Sequence, residues 1–274
     1  AVDLMQDAAG RPQIGHDDAQ VKVTNFTCIA ETARALQAQN LPTTHLISIG
    51  GWAAPHPDTN FTGEQWFQTW DQWNQKIARP DLGWSGFDGI DWDLEGNTNK
   101  SSAENVLSPA CVELVGTMSQ AAKRAGFIVS MVPPESYLDP TTSDFDLSLL
   151  HTYPGGEFPE FGYHGQNSYA IWLAKFGNTS ISVANTSTAV VVDTFDIVDV
   201  QLYENCAHCA YHVNVLGEDP VAYLAGYIQP LIDGWLVKFS QSPAVGFPDA
   251  VVQIKPSQLV LGFARGWSEG KSVF

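Results

Sequence analysis

Four carboxyl groups crowd one short apolar stretch, Gly-Phe-Asp-Gly-Ile-Asp-Trp-Asp-Leu-Glu-Gly, residues 86–96. Carboxylates in a buried strand are costly unless they are paired, protonated or in use. In an extended strand alternate side chains share a face. Asp91, Asp93 and Glu95 therefore point one way, and Ile90, Trp92 and Leu94 the other. Asp88 has the opposite parity, which suits a structural bond to nearby backbone. Three like charges stacked about 6–7 Å apart along one face cannot all ionise cheaply, so a proton is shared and one pKa rises. A carboxylic acid held protonated near neutral pH can act as a general acid. Two other answers stay open on these residues alone: a Ca²⁺ or Mg²⁺ site built from carboxylate oxygens, and a purely structural role.

The surrounding elements must aim that strand. Apolar runs at 45–51, 127–132, 195–203 and 258–264 read as strands, alternating with helix-like stretches. A helix from about Thr27 to Gln39 stops at Asn40 and Pro42. A second is capped by Ser108, has Pro109 in its first turn and Gly126 past its end, and gathers Cys111, Leu114, Val115, Met118 and Ala122 on one face. A third opens at Asp219-Pro220 and carries Val221, Leu224, Ile228, Leu231 and Trp235, with a kink expected at Pro230. Strands alternating with helices indicate an α/β chain with a parallel sheet under helices, and periodicity alone does not choose between a doubly wound sheet and a barrel. Residues 138–194 read as an elaborated loop. Its aromatics Tyr153, Phe158, Phe161, Tyr163, Tyr169 and Trp172 suit either a sugar-stacking wall or packing within a subdomain.

The chain has 274 residues, 44% hydrophobic and 16% charged, which suits one barrel-sized domain. A net charge of −17 argues against nucleic acid and anionic membrane as partners. No window approaches the roughly 20 apolar residues of a membrane helix. Asn25, Asn60, Asn99, Asn178 and Asn185 each begin an Asn-x-Ser/Thr acceptor pattern, which points to a secreted, extracellular glycoprotein. Cys28, Cys111, Cys206 and Cys209 are compatible with two disulfides. The cluster Cys206-Ala-His208-Cys209-Ala-Tyr-His212 could ligate zinc or form a redox pair, and a disulfide in a rim loop is the favoured expectation.

Three motifs in chain order resemble those of glycoside hydrolase family 18, the chitinases. Asp88-Gly-Ile-Asp91-Trp-Asp93-Leu-Glu95 is similar to the D-G-x-D-x-D-x-E signature of that family's fourth strand. Ser48-Ile-Gly50-Gly51 resembles its S-x-G-G motif on strand three, and Gln201-Leu-Tyr203 its strand-six motif. The resemblance implies a (β/α)₈ TIM barrel, incomplete and open here with about six strands. The chain would then be a partial catalytic domain, 1–274, lacking strands one and eight and carrying the insertion at 138–194. It implies hydrolysis of β-1,4-linked N-acetylglucosamine polymers by substrate-assisted, retaining catalysis, a known exception to the two-carboxylate scheme. The catalytic residues would be Glu95 as acid, Asp93 and Asp91 as a proton-sharing pair, and Tyr203 holding the acetamido group. Gln201 and Trp52 would contact substrate.

No cofactor and no metal are implied, and the partner would be chitin or an N-acetylglucosamine oligosaccharide met by a monomer, with no nucleic acid and no membrane. Endo-β-N-acetylglucosaminidase action on N-glycan cores and a non-catalytic chitin-binding lectin are the alternatives. Glu204 stands where relatives commonly have Asn or Asp, and Met131-Val-Pro-Pro-Glu135 is only loosely similar to the fifth strand. Trp267 comes too soon after the seventh strand to be the Trp that floors the family's cleavage subsite.

Overall fold

The computed structural model describes the chain except residues 16–23, 98, 100, 151–165, 183–187, 204–206, 215 and 264–274. Strand β1 (Asp3–Gln6) turns back through β2 (Pro12–Gly15) as an antiparallel hairpin. Helix α1 (Phe26–Ala38) leads to β3 (Leu46–Gly51), and α2 (Gly63–Ile77) to the acidic strand β4 (Gly89–Leu94). Helix α3 (Pro109–Arg124) and β5 (Ile128–Met131) follow. Within the expected elaborated loop lie α4 (Ala170–Lys175) and a hairpin of β6 (Asn178–Ser182) and β7 (Ala189–Asp193). The chain returns through β8 (Ile197–Gln201), α5 (His208–Asn214) and α6 (Pro220–Asp233). A hairpin of β9 (Trp235–Val237) and β10 (Ala250–Val252) precedes β11 (Leu259–Gly262).

Five strands make one parallel sheet in the order β11-β8-β5-β4-β3. Val2, just before β1, adds a parallel rung beside Ile49 of β3. Setting the hairpins aside, neighbours in space follow chain order from Val2 to β11. A doubly wound sheet reverses its order at a switch point; this sheet does not. Among the described residues it is open, with β11 at one edge and the Val2 rung at the other.

The elements form where local chemistry favours them. Asn25 caps α1 and Ser108 caps α3 by accepting from the N–H three residues on. Thr62 and Gln65 make a reciprocal capping box on α2. The expected buried face of α3, Cys111, Leu114, Val115, Met118 and Ala122, is buried. Of the residues expected on the helix from Asp219, Leu231 is buried and Leu224 and Ile228 pack against the core, whereas Trp235 falls beyond the helix in β9. Val221 is 73% exposed, and the buried positions are Tyr223, Tyr227 and Leu231. That register is chosen by polar partners: the Tyr223 hydroxyl donates to Glu135 Oε1, and the Tyr227 hydroxyl to the Leu138 carbonyl at 2.7 Å.

The thiols also differ from expectation. Cys28 is exposed and Cys111 buried, both free, so no bridge joins α1 to α3. Cys209 is a buried free thiol facing the Leu202 carbonyl, so it takes part in no rim disulfide; Cys206 lies outside the described residues. Asn25, Asn60, Asn99 and Asn178 are exposed, and Asn185 is outside the described set. Among the described residues no helix is long and apolar enough to cross a membrane.

Candidate active site

Strand β4 alternates as its sequence requires. Ile90, Trp92 and Leu94 are fully buried on the helix side, where the Trp92 indole N–H donates to Ser119 Oγ of α3 at 2.8 Å. Before the strand, Asn74 of α2 exchanges two hydrogen bonds with the Phe87 backbone, at 2.9 and 2.8 Å. Asp88 accepts from the His45 N–H at 2.8 Å, the structural role its parity implies. Gly89 is required by space, because a Cβ there would lie 1.9 Å from the Ile128 carbonyl oxygen of β5.

The opposite face collects the acids. Asp91 Oδ2 accepts from Ser48 Oγ of β3 at 2.7 Å, and Ser130 of β5 also bonds its carboxylate. Burial raises the Asp91 pKa above the usual carboxylate range, while the two serines pull it back down. Asp93 Oδ1 accepts from Gln201 Nε2 of β8 at 3.1 Å. Glu95, next on the same parity beyond the strand, is 7% exposed. Its carbonyl bonds His56 Nε2 at 3.2 Å, and burial lowers the pKa of that imidazole.

Gly50 accounts for the S-x-G-G motif. Its φ is +102°, and a Cβ would stand 2.5 Å from the Asp93 carbonyl oxygen. Only glycine lets β3 lie this close to the acidic strand there. Trp52 follows β3 and is 45% exposed. The adjacent Ala53 N–H donates to the Gly96 carbonyl at 3.1 Å, which brings Trp52 beside the end of the acidic strand. Tyr203 follows β8, with its ring against Gly262: a Cβ there would meet Tyr203 Cε1 at 3.4 Å. The six expected residues thus come from the C-terminal ends of β3, β4 and β8, the end at which barrel enzymes carry their chemistry.

Sequence reading places Tyr169 only among the loop aromatics and misses its tie to the acidic strand. The β4–β5 ladder runs as far as Val132 N–H to the Trp92 carbonyl, at 2.9 Å. The next donor toward Leu94 would be residue 134, but that is proline and has no N–H. The Val132 carbonyl is meanwhile occupied by Gln201 Nε2 at 2.7 Å. Both backbone groups of Leu94 turn instead to the Tyr169 hydroxyl, which accepts from its N–H at 2.6 Å and donates to its carbonyl at 3.0 Å. Burial, together with the charges of Asp93 and Glu95, raises the Tyr169 pKa well above normal, so the hydroxyl keeps its proton and remains a donor. Tyr169 and Trp172 are fully buried and pack against each other, so neither belongs to a sugar-facing wall. Tyr153, Phe158, Phe161 and Tyr163, like Glu204 and Trp267, lie outside the described residues. Among the described residues no group of three His, Cys, Asp or Glu side chains could hold a metal ion.

No family model and no curated protein matches this chain. Among solved structures, a Group IV chitinase from Ostrinia furnacalis is similar with a TM-score of 0.34 and 12% identity, over 73% of this chain and 56% of that one. The chain thus spans little more than half the length of that structure, and a likeness at this level carries no argument for fold or function.

Proposed function

We propose that the chain is a family-18-type glycoside hydrolase, built on a partial (β/α)₈ barrel, that cleaves β-1,4-linked N-acetylglucosamine polymers. The observation that carries the reading is the interior acid column: Asp91 held by Ser48 and Ser130, Asp93 held by Gln201, and buried Glu95 next in line. Exposed Trp52 at the same end supplies an aromatic face for a sugar ring.

In this mechanism Glu95 protonates the glycosidic oxygen as the C–O bond to the anomeric carbon breaks. The carbonyl oxygen of the substrate's own 2-acetamido group attacks that carbon and forms an oxazolinium ring. Asp93 accepts a hydrogen bond from the acetamido N–H and balances the positive charge, while Asp91 shares its proton with Asp93. Tyr203 holds the acetamido oxygen for attack. Water then opens the ring, giving its proton to Glu95, and configuration is retained. The test is hydrolysis of a fluorogenic chitobioside by the parent chain and by Glu95→Gln. The proposal expects the variant to lose at least about 100-fold in kcat, the scale of a positioned general acid. Equal rates in the two proteins contradict it.

A further inference from the structure

The sheet stops one residue short of the acid. Strand β4 ends at Leu94, where Gly51 is its last partner on the β3 side. On the β5 side Pro134 has no N–H to extend the ladder. The backbone of Glu95 must be held from elsewhere, because a buried carbonyl left unpaired is costly.

The loop after β3 takes over. Ala53 lies in the left-handed region at φ +60°, in a turn closed by the Ala54 N–H to the Gly51 carbonyl at 3.1 Å. That turn presents the Ala53 N–H to the Gly96 carbonyl. Three residues on, His56 Nε2 meets the Glu95 carbonyl at 3.2 Å. A carbonyl only accepts, so this nitrogen carries the hydrogen and donates it. Beyond Gly96, the Asn97 N–H donates to Asn105 Oδ1 at 2.7 Å.

The segment that brings the imidazole is stiff. Pro55 and Pro57 flank His56. Each ring fixes its own φ, and Pro57 confines His56 to extended backbone. Next along the chain, the Asp58 N–H donates to the Leu4 carbonyl at 2.9 Å, and the Asp58 carbonyl accepts from the Trp66 indole at 2.8 Å. The imidazole therefore reaches Glu95 from a bracket anchored on both sides.

We infer that His56 is a positioning residue for the general acid: it fixes the Glu95 backbone where the sheet ends, and so aims the carboxyl at the leaving-group oxygen. The inference rests on the catalytic reading of Glu95. An acid displaced by about 1 Å can lose roughly 100-fold in rate, and that loss falls only on leaving groups that need a proton.

The test compares kcat/KM, which reports the bond-breaking step, on two substrates of the whole chain. The leaving group of a chitin tetrasaccharide is a sugar alcohol that must be protonated; that of a dinitrophenyl chitobioside departs as a stable anion. His56→Ala should lose at least about 10-fold on the tetrasaccharide and far less on the dinitrophenyl substrate. His56→Gln, whose side-chain N–H can reach the same carbonyl, should recover most of the loss. His56→Leu keeps the bulk without the donor and should repeat the alanine pattern, which covers an alanine variant that does not fold. Equal losses on the two substrates, or no loss on either, overturn the inference. Glu95→Gln is the control and should show the same preference more strongly. A preference in Glu95→Gln that the His56 variants lack removes the inference alone. Its absence from Glu95→Gln, or a parent chain that cleaves neither substrate, removes the catalytic reading and the inference with it.

Discussion

Asp91 sits in a balance of opposed effects, burial raising its pKa and two serine hydroxyls lowering it. The sequence pointed to a raised pKa through stacked like charges, whereas in the fold the rise comes from burial. The alternation of β4 was legible because a two-residue period is a local property of any strand. Tyr169 was not, because its two bonds to Leu94 span 75 positions and leave no local pattern. The one trace in the sequence is Pro133-Pro134, which removes the N–H that would have continued the ladder. Replacing Tyr169 with Phe leaves the Leu94 N–H and carbonyl buried and unpaired, at about 1–3 kcal/mol for each. The expected outcome is a lowered melting temperature and a fall in kcat with little change in KM, because the loosened segment carries Glu95 rather than the sugar contacts. Unchanged kcat in a destabilised Tyr169→Phe would limit the hydroxyl to stability.

At the level of elements, Glu135 ties the β5 exit to the two helices after β8. It accepts from the Cys209 N–H of α5 at 3.0 Å and from the Tyr223 hydroxyl of α6. Full burial pushes its pKa from 4.5 up to about 8, against the opposing pull of those two bonds. Between these values the folded protein holds a proton that the unfolded chain has released, so this group's stabilisation is complete below about pH 4.5 and declines as pH rises toward about 8. His208 acts in the other sense. Burial and His212 lower its pKa from 6.5 to about 4, so its contribution is lost as pH falls through that window. Above pH 6.5, where His208 no longer titrates, melting temperature should fall toward pH 8, and Glu135→Gln, which mimics the protonated acid, should flatten the fall. A slope unchanged in Glu135→Gln would remove Glu135 as its source. These contacts also explain why the buried face of α6 centres on Tyr223 and Tyr227, which apolar spacing did not mark: their hydroxyls reach Glu135 and Leu138.

Across the whole molecule, one parallel sheet in chain order brings β3, β4 and β8 to a common end and so gathers acids, glycines, Gln201 and Trp52 from distant parts of the sequence. The main strands were readable as apolar runs, whereas the three hairpins were not, because their short strands carry little periodic signal. The segment at 138–194, expected as a loop, contributes in α4 and Tyr169 a support for the acidic strand. That support matters only if Glu95 performs the chemistry assigned to it, and the stereochemistry of the first product reports on that chemistry most directly. Proton NMR of a chitin oligosaccharide during cleavage should show the β-anomer of the new reducing end appearing first, as substrate-assisted displacement requires. The α-anomer appearing first would mean a single inversion by water and would contradict the account.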